Sequence, residues 1–142
     1  MVGRAGSATV VVVDDNEANL GLVARVLATR PEIRTSYARD GVAGLELVAA
    51  ELPDLVLLDL HLPRMDGGEV LRRLKADPST ARVPVVVLSG DADADTMRRT
   101  RDDGAAVYLA KPFDIRRLVE IVDELVFAID DASTEPPSGP QR

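Results

Sequence analysis

The stretch Leu55-Val56-Leu57-Leu58-Asp59-Leu60-His61-Leu62-Pro63-Arg64-Met65-Asp66-Gly67 decides the fold. It opens as a continuous apolar run, too short for a helix and flanked by turn-forming residues. Such a run predicts a strand covered on both faces, as in a parallel sheet. It ends on a carboxylate, and Pro63 with Asp66-Gly67 predict a turn before the next helical pattern. An ionised Asp at the mouth of a buried strand needs a partner, because desolvating it alone is costly. What the rest of the chain brings to Asp59 therefore decides the chemistry.

Working outward, Thr9-Val10-Val11-Val12-Val13 is a second buried-strand run and ends on Asp14 and Asp15. Asn16 predicts an N-cap for a helix with Leu20, Val23, Ala24 and Leu27 on one face, stopping before Pro31. Ile33 to Ala38 alternates Ile33, Thr35 and Tyr37, which predicts an edge strand. Asp40-Gly41 opens a helix carrying Val42, Leu45, Val48, Ala49 and Leu52. Beyond the Leu55 run, Gly68 to Ala76 predicts a short amphipathic helix on Val70, Leu71 and Leu74. The run from Val83 to Leu88 ends on Ser89-Gly90. Asp91 to Asp103 is mostly polar and offers little area to dock a helix. Ala105 to Ala110 predicts the fifth strand and leads to Lys111-Pro112-Phe113. Asp114 caps a final helix with Leu118, Val122, Leu125 and Ile129 on one face. Strands alternating with helices predict α/β with a parallel sheet and right-handed crossovers.

The 142 residues suit one domain, with a flexible start over 1–8, a folded unit over 9–130 and a disordered tail or linker stub over 131–142. With two Phe, two Tyr and no Trp, the core has to be aliphatic. A net charge of −7 argues against nucleic acid or an anionic membrane as the direct partner. The chain has no Cys, which excludes disulfides and thiolate chemistry. Neither a membrane-spanning run nor a signal-peptide core is present, so the expected location is the cytoplasm.

Four strand runs end on reactive groups: Asp14 and Asp15, Asp59, Ser89, and Lys111. In a parallel sheet those ends share one edge, where ligands of such folds bind. Three carboxylates brought together repel unless a cation intervenes, and one ammonium offsets only part of their charge. Oxygen donors without His or Cys suit a hard ion, Mg²⁺ above all. A carboxylate nucleophile, a hydroxyl, a lysine and a metal are together suited to phosphoryl transfer.

These motifs resemble the receiver domain of two-component response regulators. The resemblance rests on Val12-Val13-Asp14-Asp15-Asn16-Glu17, on Leu57 to Gly67, on Val85 to Gly90 and on Tyr108-Leu109-Ala110-Lys111-Pro112-Phe113-Asp114. It implies a flavodoxin-like, doubly wound sheet of five parallel strands in order 2-1-3-4-5, flanked by five helices. It implies a switch rather than a metabolic enzyme, one that takes a phosphoryl group from a phosphohistidine donor onto Asp59 with Mg²⁺. Asp15 is then the direct metal ligand, Asp14 acts through water, and Asp59 and the His61 carbonyl complete the protein ligands. Ser89 bonds the phosphoryl group, Lys111 pairs with it, and Tyr108 turns inward as the hydroxyl moves. Lys111-Pro112 is expected to be cis. The implied partners are a histidine kinase or phosphotransfer domain, and an output partner on the surface of the fourth helix, fifth strand and fifth helix. The expected assembly is a monomer or a phosphorylation-dependent dimer.

Each of these residues alone has a plainer reading. Asp14 or Asp15 would cap a helix, Ser89 would sit in a turn, Lys111 would be a solvated lysine and Tyr108 a core-edge residue with a wet hydroxyl. Convergence on Asp59 is what overrides those readings. His61 and Asp91 stand two residues beyond Asp59 and Ser89, and are expected to tune hydrolysis of the aspartyl phosphate. Arg98, Arg99 and Arg101 read first as a solvated face interleaved with Asp95, Asp102 and Asp103, and second as a docking surface. Rival readings are a small Asp-nucleophile phosphatase, an inert interaction module and an FMN binder. The first lacks a second Asp two residues after Asp59 and a cap. The second fails because every reactive position is filled. The third lacks a Ser/Thr/Gly-rich phosphate loop after the first strand. The length expects no nucleotide-binding kinase domain and no DNA-binding output domain. A free single-domain regulator and a piece of a hybrid kinase or larger regulator both remain open.

Overall fold

The computed structural model describes residues 7–91 and 93–127. Five strands, β1 (Ala8–Val13), β2 (Ile33–Ala38), β3 (Leu55–Asp59), β4 (Val85–Ser89) and β5 (Val107–Ala110), form one sheet in order β2-β1-β3-β4-β5. All pairings are parallel. Five α-helices alternate with them: α1 (Glu17–Leu27), α2 (Gly41–Glu51), α3 (Gly67–Ala76), α4 (Ala94–Asp102) and α5 (Ile115–Val122). This is the flavodoxin-like order that the resemblance implied.

Alternation along each central strand divides the core in two. Val10, Val12, Leu55, Leu57, Val86 and Leu88 face one side and pack with Leu20, Val23 and Leu27 of α1 and Leu118, Ile121 and Val122 of α5. Val11, Val13, Val56, Leu58, Val85 and Val87 face the other and pack with Val48 of α2 and Val70, Leu71 and Leu74 of α3. Both faces of β1, β3 and β4 are thus dry, which is why their sequences read as unbroken apolar runs. Each fully buried Val or Leu contributes about 1.5–3 kcal/mol.

The helix starts follow from short polar side chains. Asn16, Asp40, Asp66, Asp93 and Asp114 each accept a backbone N–H of the first turn of their helix. The polar α4 buries only Thr100, in keeping with the little area its sequence offers.

Several expected faces differ. In α2 the buried residues are Gly41, Gly44 and Val48, while Ala49 is exposed. Gly44 sits against the sheet, where a Cβ would lie 2.7 Å from Val13 Cγ1, and Gly41 sits against the Met65 backbone. Leu52 is not on the apolar face: it ends α2 in the left-handed region at φ 47° and is exposed. In β2, Tyr37 is exposed rather than inward, and Ala38 is buried in its place. α4 starts at Ala94 rather than Asp91, since Asp93 is its cap. Ala8 already belongs to β1 and pairs with Ile33. After α5 the chain makes a wider, π-helical turn (Asp123–Phe127). The extra residue in that turn rotates the face, so Val126 is buried and Leu125 only half-buried. Ile129, the tail over 131–142 and residues 1–6 of the expected flexible start lie outside the described residues.

Candidate functional site

The register carries the reactive groups to one rim. Val13 pairs with Leu58, Asp59 with Leu88, and Ser89 with Ala110. Asp14, Asp59, Ser89 and Lys111 therefore leave the sheet side by side. The backbone N–H of Lys111 donates to the Ser89 carbonyl at 2.7 Å, which extends the β4–β5 ladder to the lysine itself. The Lys111–Pro112 bond is cis, as expected.

Carboxylate oxygens of Asp14, Asp15 and Asp59 all lie within 4.8 Å of one another. Asp14 and Asp59 are buried and Asp15 is exposed. Lys111 Nζ reaches over the buried pair, 3.5 Å from Asp14 Oδ2 and 3.7 Å from Asp59 Oδ1. Burial raises the pKa of Asp59 above the ordinary Asp value, and the Asp14 charge adds to the rise, while Lys111 pulls it back. A single ammonium among three carboxylates leaves the rim anionic. Its donors are all hard oxygens, with no His or Cys side chain among the three, which fits a hard divalent cation.

Local structure explains why Asp59 is held so firmly. The turn after β3 takes its left-handed residue at Arg64, φ 70°, not at Gly67. Gly67 is needed for another reason: a Cβ there would lie 2.1 Å from the Asp59 carbonyl oxygen and 2.7 Å from Leu60 Cα. Its N–H donates to the Leu60 carbonyl at 2.8 Å. The start of α3 is thus pressed directly onto the backbone that carries Asp59. The Asp66-Gly67 pair signals a turn in the sequence, but nothing there signals this close approach.

Ser89 is fully buried, and its Oγ accepts the Asp91 N–H at 3.1 Å. Tyr108 is half-buried against the α2–α3 side of the core, and its hydroxyl donates to the Asp91 carbonyl at 2.6 Å. His61 N–H approaches Asp59 Oδ1 at 3.4 Å, while its ring pairs through Nε2 with Asp91 Oδ2 at 2.7 Å. The Asp91 bond raises the His61 pKa above the ordinary imidazole value. The two residues singled out for their spacing thus touch each other across the mouth of the site. They also wall a cavity of about 560 Å³ that extends to Arg72 and Arg99. Two arginines of α4 are engaged locally: Arg98 pairs with Asp95 and Arg99 donates to Thr96.

The family model of the response regulator receiver domain matches residues 10–123. The chain belongs to that family. As a receiver domain it has a signalling, phosphoacceptor role. Response regulator PleD of Caulobacter vibrioides is 39% identical over 131 residues, covering 84% of this chain and 28% of PleD. Polar-differentiation response regulator DivK of Brucella anthropi is 33% identical over 114 residues, covering 80% of this chain and 92% of DivK. This receiver domain thus spans under a third of the first relative and most of the second. Among solved structures, the receiver domain of sensor histidine kinase PA1611 from Pseudomonas aeruginosa PAO1 superposes with a TM-score of 0.78. It is 26% identical, over 85% of this chain and 98% of that one, and has a magnesium ion coordinated in its active-site cleft. The Mn²⁺-bound form of response regulator Rcp1 is 30% identical at a TM-score of 0.71, over 94% of this chain and 99% of Rcp1. Among the described residues no helix is long and apolar enough to cross a membrane.

Proposed function

We propose that this receiver domain takes a phosphoryl group from a phosphohistidine onto Asp59 in a Mg²⁺-dependent reaction, and that the new charge switches an interaction surface. The observation that carries the reading is the closure of Asp14, Asp15 and Asp59 into one oxygen cluster under Lys111. An Asp59 carboxylate oxygen attacks phosphorus in line, the P–N bond to the donor imidazole breaks, and the imidazole leaves. Asp14, Asp15 and Asp59, with the His61 carbonyl, would hold Mg²⁺ at this rim. The ion, when bound, neutralises charge developing on the phosphoryl oxygens.

Lys111 pairs with the phosphoryl group and Ser89 donates its hydroxyl to it. Ser89 leaves its bond with Asp91 to do so, and Tyr108 follows as the switch. Output runs through α4, β5 and α5. That surface is suited to it: all four residues of the edge strand β5 are only half-buried, and Ile115 at the start of α5 is exposed. The donor is a histidine kinase or phosphotransfer domain, the setting cytoplasmic, and the assembly a monomer or a phosphorylation-dependent dimer.

Incubation with Mg²⁺ and a small acyl phosphate tests this. The expected result is a gain of one phosphoryl group in the mass spectrum, absent in Asp59→Asn and absent in chelator. Modification that persists in Asp59→Asn overturns the assignment. Sustained turnover of small phosphate esters points instead to the phosphatase reading.

A further inference from the structure

Asp91 makes three bonds, each to a different part of the switch. Its N–H donates to Ser89 Oγ at 3.1 Å, its carbonyl accepts the Tyr108 hydroxyl at 2.6 Å, and its carboxylate meets His61 Nε2 at 2.7 Å. His61 stands on the other lip of the site, two residues after Asp59, with its N–H turned toward the Asp59 carboxylate. One side-chain pair therefore ties the segment after β4 to the segment after β3. That same segment presents the carbonyl on which Tyr108 docks.

We propose that the His61–Asp91 pair is a latch that fixes the Asp91 carbonyl as the seat of Tyr108, and so biases the tyrosine inward through the chain's own contacts. Asp91 is then a positioning residue for the switch. The inference rests on Tyr108 being the switch, but not on phosphorylation of Asp59.

The geometry separates this from a role in packing. Both side chains of the pair are substantially solvent-exposed, at 66% for His61 and 40% for Asp91. Removing either leaves no buried void. Truncating the Asp91 side chain leaves its main-chain N–H and carbonyl present, so Asp91→Ala removes only the tether that holds them in position. An exposed pair of this kind shifts a two-state balance by up to about fivefold. That is enough to change the resting population of a switch and too little to unfold the domain.

The whole sequence has two tyrosines, Tyr37 and Tyr108, and no tryptophan. Fluorotyrosine labelling of a Tyr37→Phe background gives a single ¹⁹F resonance, that of Tyr108. The experiment compares this background with Asp91→Ala, His61→Ala and the double variant, in chelator and without any phosphodonor. The expected result is a fall of about two- to fivefold in the inward-to-outward ratio in each single variant, with the double variant no worse than either. Beryllofluoride with Mg²⁺ should then return all four proteins to the inward signal. An unchanged Tyr108 resonance in both single variants overturns the latch, and so do single effects that add in the double variant. A melting temperature close to the parent's shows that the variants are folded. If the variants shift Tyr108 but beryllofluoride moves none of them, the latch stands and the phosphoacceptor reading of Asp59 fails.

Discussion

At the scale of single residues, the site is a balance between like charges and the few groups that offset them. Asp59 is buried beside Asp14, and Lys111 is shared between the two. Ionised Asp59 therefore costs stability in metal-free protein. Asp59→Asn should melt a few degrees higher than the parent in chelator, and Mg²⁺ should raise the parent's melting temperature while raising the variant's little. Thermal melts with and without Mg²⁺ read both effects, and a lower chelator melting point for Asp59→Asn would contradict the charge argument. His61 and Asp91 lie across the mouth of the same site. Replacing either should change the half-life of the phosphorylated protein severalfold, read from loss of label after donor removal; an unaltered half-life in both variants would end that idea. Spacing in the sequence singled out Asp14, Asp15, Asp59, Ser89 and Lys111, because strand ends in a parallel sheet share an edge, whereas Tyr108 came only from the family resemblance. Spacing did not show that His61 and Asp91 touch, since their pairing depends on loop geometry that no local pattern encodes.

At the scale of elements, glycines and left-handed residues do work that periodicity cannot announce. Gly67 lets α3 press onto the Asp59 backbone. Gly67→Ala should cost about 1–3 kcal/mol of stability through overpacking and should slow phosphorylation as well, because the displaced atoms carry Asp59. Denaturant melts and labelling rates check the two parts separately. Leu52 shows the reverse case. Its helical spacing reads as core, yet it is an exposed cap at φ 47°. Leu52→Gly should gain about 0.5–1 kcal/mol in denaturant melts, since the left-handed strain goes and little burial is lost. The buried strands were legible because continuous apolar runs have one economical arrangement in an α/β chain. The apolar face of α2 was legible only in part, at Val48 and Leu45, because Gly44 and Gly41, packed against Val13 and the Met65 backbone, carry no hydrophobic signal. The face after α5 shifted because a π-helical turn obeys a longer period than the pattern assumes.

At the scale of the whole molecule, one ion pair ties the segment after α1 to the end of α5. Arg30 grips Asp123 with two bonds, Nε to Oδ1 at 2.9 Å and Nη2 to Oδ2 at 2.7 Å. The Arg30 bonds hold the Asp123 carboxyl below its ordinary value of 3.8. A depressed carboxylate contributes stability that is fully present above its unfolded value and lost as pH falls through its folded value. Arg30→Met should therefore be less stable than the parent at neutral pH, by about 0.5–1 kcal/mol for so solvent-exposed a pair. The two stability curves should converge as the pH drops below the ordinary Asp range; parallel curves would show that Asp123 gains nothing from Arg30. The double-sided core has a consequence of its own during synthesis. β1 precedes its neighbours in the chain; β2 pairs with one edge first, and the other edge stays open until β3 arrives after two helices and that strand. Until then Thr9 to Val13 is a β-branched segment with no charge inside it, the composition that seeds intermolecular cross-β stacking. Slow translation or high expression lengthens that window, so yield in the soluble fraction should track growth temperature and chaperone supply more closely than it tracks the melting point.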